Sequence, residues 1–144
     1  MWFNFLDRYR DAGLLILRLG MGLFYMFEHG MDKLLGGPEQ WQGLGERAEY
    51  VGIEFLPGMW GFMASFAEFF GGLLLILGLF FRPAAFLLLC TMIVATAFHI
   101  GSGIGSPVHS GKMAVLFFSL LFIGPGKYSL DNYFWPSRRR RRFY

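Results

Sequence analysis

Residues 18–33, RLGMGLFYMFEHGMDK, place Arg18, Glu28, His29, Asp32 and Lys33 within an apolar helical segment. A charged side chain inside a bilayer costs about 2.5 kcal/mol or more unless it faces protein or water and finds a partner. A fold that accepts this segment must supply those partners from other parts of the chain.

The solvent for the segment follows from composition. Of 144 residues, 55% are hydrophobic, 19% aromatic and only 16% charged, too much apolar surface for a water-soluble domain of this size to hide. Lipid is the natural surrounding. Cys90 is the single cysteine and sits in FLLLCTMIVATAF, which excludes an intrachain disulfide, a CxxC motif or cysteine zinc spacing and reads as a small hydrophobe. The start, MWFNFLDRYRDAG, sets two acids beside two arginines with no small-residue cleavage site, so the first helix is expected to stay as an anchor, with Trp2 and Phe3 near the interface.

The pattern predicts an all-α integral membrane four-helix bundle in a single membrane domain, 1–144. Its spans fall at about 12–31, 58–81, 83–101 and 112–124. The first, roughly 20 residues at about 1.5 Å each, gives about 30 Å of helix, enough to cross a hydrocarbon core. Residues 41–55 carry Trp41, Leu44, Ala48, Val51 and Phe55 at helical spacing with Gln42, Glu46, Arg47 and Glu49 opposite, an amphipathic helix on the membrane surface or capping the bundle. Spans two and three meet at Phe81, Arg82 and Pro83, a junction short enough to require a tight antiparallel hairpin. GSGIGSPVHSG separates spans three and four as a glycine-rich loop.

Lysine and arginine placement sets the orientation. With four spans, one side receives Arg8, Arg10, Arg82, Lys127 and the five arginines Arg138, Arg139, Arg140, Arg141 and Arg142 of the tail at 136–144, while the other receives Lys33, Arg47 and Lys112. The termini are expected in the cytoplasm of a bacterial inner membrane, in a multi-pass protein. The arginine run then reads as a topology signal and a clamp for anionic lipids, about 1 kcal/mol per residue near the surface, and not as a nucleic-acid site.

The partner for the charged first span is expected on the second. Gly61, Ser65, Glu68 and Gly72 follow at intervals of four, three and four and share one helix face, where small residues let a neighbouring backbone approach the carboxylate. Arg18, Gly22, Tyr25 and His29 share a face of the first span. At about 1.5 Å per residue, Arg18 lies ~9 Å, Tyr25 ~19 Å and His29 ~26 Å from the cytoplasmic surface, with Glu68 near ~18 Å and His99 near ~23 Å. These heights predict one polar cluster.

Two readings of that cluster stay open. In one, Arg18 and Glu68 form an interhelical ion pair that sets register. In the other, Glu68 and His29 carry proton-coupled catalysis while Arg18, Tyr25 and His99 line a quinone pocket, since such chemistry needs a lipid-accessible cavity, hydrogen bonds to the carbonyls and a proton route. A metal site from His29, His99 and His109 has no ligand spacing to support it, and no GxGxxG, Walker or Ser/His/Asp motif is present. The 18 Phe and eight Met are lipid-facing and packing residues.

Four stretches together resemble the DoxX family over roughly residues 12–132: RLGMGLFYMFEHGMDKLLGG at 18–37, AEFFGGLLLILGLFFRPAA at 67–85, His99, and GPGKYSLD at 124–131. The resemblance implies a four-span bundle. It also implies membrane redox complexes, since relatives include the DoxD-type subunit of thiosulfate:quinone oxidoreductase and proteins that associate with sulfurtransferases or superoxide-detoxifying enzymes. Carried onto this chain, the pattern's residues are Arg18, the pair His29 and Gly30, Lys33, Glu68 and His99. The arginine tail and the acids Glu28 and Asp32 depart from it. The expected function is a redox-complex subunit that binds or reduces quinone; the alternative is a non-catalytic accessory subunit packed against a larger respiratory, photosynthetic or transport complex, with other membrane subunits or further copies of the chain as partners.

Overall fold

The computed structural model describes residues 4–136; Trp2, Phe3 and the arginine tail lie outside the described residues. Among those described, the secondary structure is entirely helical. A 3-10 turn, Asn4–Tyr9, leads into α1 (Arg10–Leu23), a π-helical stretch (Phe24–Met31) and the single turn α2 (Asp32–Leu35). Helical backbone therefore persists past the expected end of the first span, but with a change of pitch at its centre. Eight residues of π-helix are unusual, since this geometry mostly occurs as single-turn bulges, frequently at functional sites.

Next come α3 (Gly37–Gly45) and a 3-10 stretch, Glu46–Val51. The expected amphipathic segment thus starts earlier than residue 41, because Pro38 sits in the first turn, where a missing N–H has no cost. It packs along α4 and reaches α5, so it caps the helices.

Among the described residues, helices α4 (Pro57–Leu77) and α5 (Phe81–Ser102) are the two that are long and apolar enough to cross a membrane; α6 (Pro107–Ile123) is apolar and shorter. A short α7 (Leu130–Phe134) follows. Helix α4 lies between α1 with the π stretch on one side and α5 on another, and α5 packs on α6. The core runs along these contacts through Tyr25, Leu75, Phe81, Leu88, Met92, Phe117 and Leu120.

The junctions differ from the sequence reading for local reasons. Helix α4 stops four residues earlier than expected, because Gly78 turns left-handed at φ 63° and Leu79 N–H closes back on Leu74 O at 3.1 Å. That is the glycine C-cap that satisfies the last carbonyls of a helix. The hairpin turn is consequently 78–80, and Phe81 is a fully buried residue at the start of α5. Most of the glycine-rich loop also disappears: Pro107 opens α6 and Ser106 accepts from Val108 N–H, drawing His109 into the first helical turn.

Close approach of α4 to the first helical run depends on absent side chains. A Cβ on Gly72 would lie 2.7 Å from both Gly22 O and Met26 N, and one on Gly30 would lie 2.5 Å from Phe69 Cα. Glycines at these crossings let backbone meet backbone, as small residues do where membrane helices pack.

Candidate functional site

Arg18 is 1% exposed, yet its partners are not carboxylates. Its Nε donates to Leu75 O at 3.0 Å and Nη2 to Ile76 O at 3.0 Å, while Nη1 donates to Pro125 O at 2.9 Å and Tyr128 O at 2.8 Å. The first two acceptors belong to the last turn of α4, where carbonyls lack intrahelical donors. The other two belong to the loop before α7. One guanidinium, with five donors in a fixed fork, thus ties a helix end to a distant loop.

The expected pairing of Arg18 with Glu68 is therefore incorrect. Leu75 is seven residues from Glu68 along α4, about 10 Å at helical rise, and the guanidinium is held there by four carbonyls. Glu68, 3% exposed, instead accepts from Lys33 Nζ at 2.6 Å. Estimating heights by residue count missed this because Arg18 reaches toward the helix ends and Lys33 reaches inward from α2.

Around that pair the chain assembles a second set of groups. The Tyr25 ring, 1% exposed, meets His29 edge-on at 5.2 Å and Phe117 at 4.9 Å, and its hydroxyl donates to Met92 Sδ at 3.2 Å. His29 in turn faces His109 at 6.1 Å and is within electrostatic reach of Lys33 and Glu68. The spacing of four between Tyr25 and His29 keeps both rings on one side even through the π-helical pitch. Both lie inside that stretch.

His99 is not part of this group. Its Nδ1 is 2.6 Å from Ile104 O, so the ring closes the loop after its own helix. Gly103 ends α5 in the left-handed conformation and brings Ile104 back within reach. His109 occupies the place expected of His99, through the early start of α6. Among the described residues no group of three or more His, Cys, Asp or Glu side chains is arranged to hold a metal ion. Of the two added acids, Glu28 and Asp32 are both exposed.

The assembled set is thus Tyr25, His29, Lys33, Glu68 and His109. Glu68 and Tyr25 form its buried floor; Lys33, with 27% of its side chain exposed, and the exposed His109 form its open side. The set holds an acceptor, a cation with spare donors and two rings able to carry a proton.

The DoxX family model matches residues 13–100, more than half of the chain. The chain belongs to the DoxX family. It is a DoxX membrane protein, and the family match takes in Arg18, Tyr25, His29, Lys33, Glu68 and His99. His109 and the carbonyls of Pro125 and Tyr128 that hold Arg18 lie beyond that match. A relative from Haemophilus influenzae, described as an uncharacterized protein, is 37% identical over 139 residues, covering 91% of this chain and 97% of its own length. No solved structure matches.

Proposed function

We propose that this DoxX protein is a four-span bundle in a bacterial inner membrane, with cytoplasmic termini, and serves as a redox-complex subunit that binds a quinone headgroup at His29, Lys33, Glu68 and His109. The supporting observation is the approach of His29 to His109 at 6.1 Å beside the Lys33–Glu68 pair, on the open side of an otherwise apolar fold. Residues 10–35 in helical continuity span roughly 39 Å and α6 roughly 26 Å at about 1.5 Å per residue, so each fits a bilayer with modest tilt or thinning.

The donor set suits a dicarbonyl ring. Lys33 has donors left beyond its bond to Glu68, and each histidine offers a ring N–H to a carbonyl oxygen. A quinone becomes a quinol on taking up two electrons and two protons. The electrons come from a partner subunit. Within this chain, His29 and His109 connect the Lys33–Glu68 pair to the exposed side and supply ring nitrogens for proton transfer. Arg18 takes no part in binding; it fixes the fold that presents the set.

Equilibrium binding of a short-tailed quinone to the purified protein in nanodiscs tests this reading. Glu68→Gln and His29→Gln should each weaken binding, and unchanged binding in both variants would discard the site.

A second reading, a non-catalytic accessory subunit, draws on Arg18: the most buried charge among the described residues is committed wholly to backbone carbonyls, as in a rigid scaffold. Deleting the gene and measuring the abundance of co-purifying membrane complexes separates the two. Loss of the complexes with normal quinone binding by the isolated protein counts against a purely structural role.

A further inference from the structure

At the Arg10 end of the first helical run, away from Lys33 and Glu68, the N-terminal 3-10 turn, the α4–α5 turn and the loop before α7 enclose a cleft of about 820 Å³. That volume falls within the range of about 300–1,000 Å³ typical of small-molecule sites. Asp7, Arg10, Arg82 and Asp131 bring charges of both signs to its wall, with Phe80 and Trp135 as apolar lining.

The charges differ in how far they are already committed. Asp131 accepts from Phe80 N–H at 2.8 Å and from Phe81 N–H at 2.9 Å, so it caps α5. Asp11, also on the wall, accepts from Lys127 N–H at 2.9 Å. Arg82 donates through Nε to Leu121 O at 2.9 Å, which leaves the end of its guanidinium toward the cleft. Arg10 and Asp7 are exposed, and among the described residues neither makes a hydrogen bond or ion pair. The cleft thus offers two guanidinium groups with unused donors and one unused carboxylate.

Its position narrows the ligand further. The α4–α5 turn, the N-terminus of α5 and the C-terminus of α6 reach it through Phe80, Arg82 and Ile123. Apolar helix gives way to polar chain at that level, and the Phe80 and Trp135 rings, 6.0 Å apart, stand where aromatic side chains gather at a membrane interface.

We infer that this cleft binds the headgroup of an aminophospholipid, with the phosphodiester on Arg10 and Arg82 and the primary ammonium on Asp7. A purely anionic headgroup would leave Asp7 facing negative charge, and a quaternary ammonium has no N–H to donate to it. Guanidinium suits phosphate because its donors match the oxygens in pairs. The inference rests on the membrane location of the family and not on the quinone reading, so either can fail alone.

Native mass spectrometry of the full-length protein in mild detergent tests it, with phosphatidylethanolamine, phosphatidylcholine and phosphatidylglycerol added separately at equal concentration, and glycerophosphoethanolamine as the soluble headgroup. The ethanolamine lipid should be retained best. Arg10→Gln and Asp7→Asn should each lower its retention by about fivefold, roughly one exposed charge-assisted contact. Asp7→Asn should leave phosphatidylglycerol retention unchanged. Both positions are exposed, so thermal unfolding of the variants should match the parent and exclude misfolding. Equal retention of the ethanolamine lipid by parent and both variants overturns the site. Phosphatidylglycerol binding that equals it and depends on Arg10 overturns the zwitterionic assignment, and glycerophosphoethanolamine binding as tightly as the lipid makes the ligand a soluble ester and overturns the lipid.

Discussion

Lys33 Nζ stands 2.6 Å from Glu68 Oε2, joining the end of the first helical run to the middle of α4 through side chains that are 27% and 5% exposed. The asymmetry matters: the carboxylate is almost wholly desolvated and depends on the lysine, while the lysine keeps some access to the surface.

Lys33→Met should therefore destabilise the protein by about 2–4 kcal/mol, because it strands a buried carboxylate. Adding Glu68→Gln should recover part of that loss, since no uncompensated charge then remains. Thermal unfolding of the single and double variants in the same detergent measures both, and a double variant less stable than Lys33→Met would contradict the stranded-charge explanation.

Arg18→Lys retains the charge and loses the fork. An ammonium has three donors against four carbonyl contacts in two groups, so at least one acceptor is left bare, at about 1–3 kcal/mol. The loop before α7 should become cleavable by protease before the helices do. Quinone affinity should not change beyond what the lost stability explains.

Gly72→Ala places a methyl 2.7 Å from Gly22 O and Met26 N, where neither backbone can yield cheaply. A loss of about 1–3 kcal/mol is expected. Gly13→Ala is the matched control: nothing lies within 4 Å of its Cβ position, and the substitution should be neutral or stabilising by up to about 1 kcal/mol. The two melting curves together separate close packing from helix propensity.

Asp131→Ala removes the acceptor for Phe80 and Phe81 N–H, where Phe80 holds a left-handed φ of 44°. The cost should approach that of losing a strong N-cap, about 1–2 kcal/mol. Faster hydrogen exchange in the first turn of α5, with the rest of that helix still protected, is the expected readout.

His29 and His99 should behave differently in quinone binding. His29 faces Tyr25 and His109, whereas His99 is bound to Ile104 O. His29→Gln and His109→Gln should weaken binding severalfold, and His99→Gln should leave it within about twofold, a difference of under 0.5 kcal/mol. A stronger effect at His99 would return the pocket to the arrangement read from the sequence.

Much of this was legible in the residues. Gly61, Ser65, Glu68 and Gly72 share a buried face of α4, as their spacing indicates, because periodicity along one helix depends only on its geometry. Tyr25 and His29 stay together for the same reason. The choice of Arg18 for Glu68 failed because residue counts give the height of a backbone atom and not the reach of a long side chain. His109, weighed only as a metal ligand, was left out of the quinone pocket because its glycine-rich surroundings suggest a loop, and only the Ser106 cap with Pro107 turns them into the start of α6.

By itself the sequence determined what is local and additive: helical class, the apolar character of α4 and α5, the buried face of α4 and membership of the DoxX family. Tertiary structure decided which cation meets which acceptor. Several positive side chains compete for one carboxylate and for the carbonyls at a helix end, and their energies differ little until packing sets the distances. Backbone contact at Gly22, Gly30 and Gly72 draws the first helical run against α4, and in that register Lys33 reaches Glu68 while Arg18 reaches the carbonyls of Leu75, Ile76, Pro125 and Tyr128.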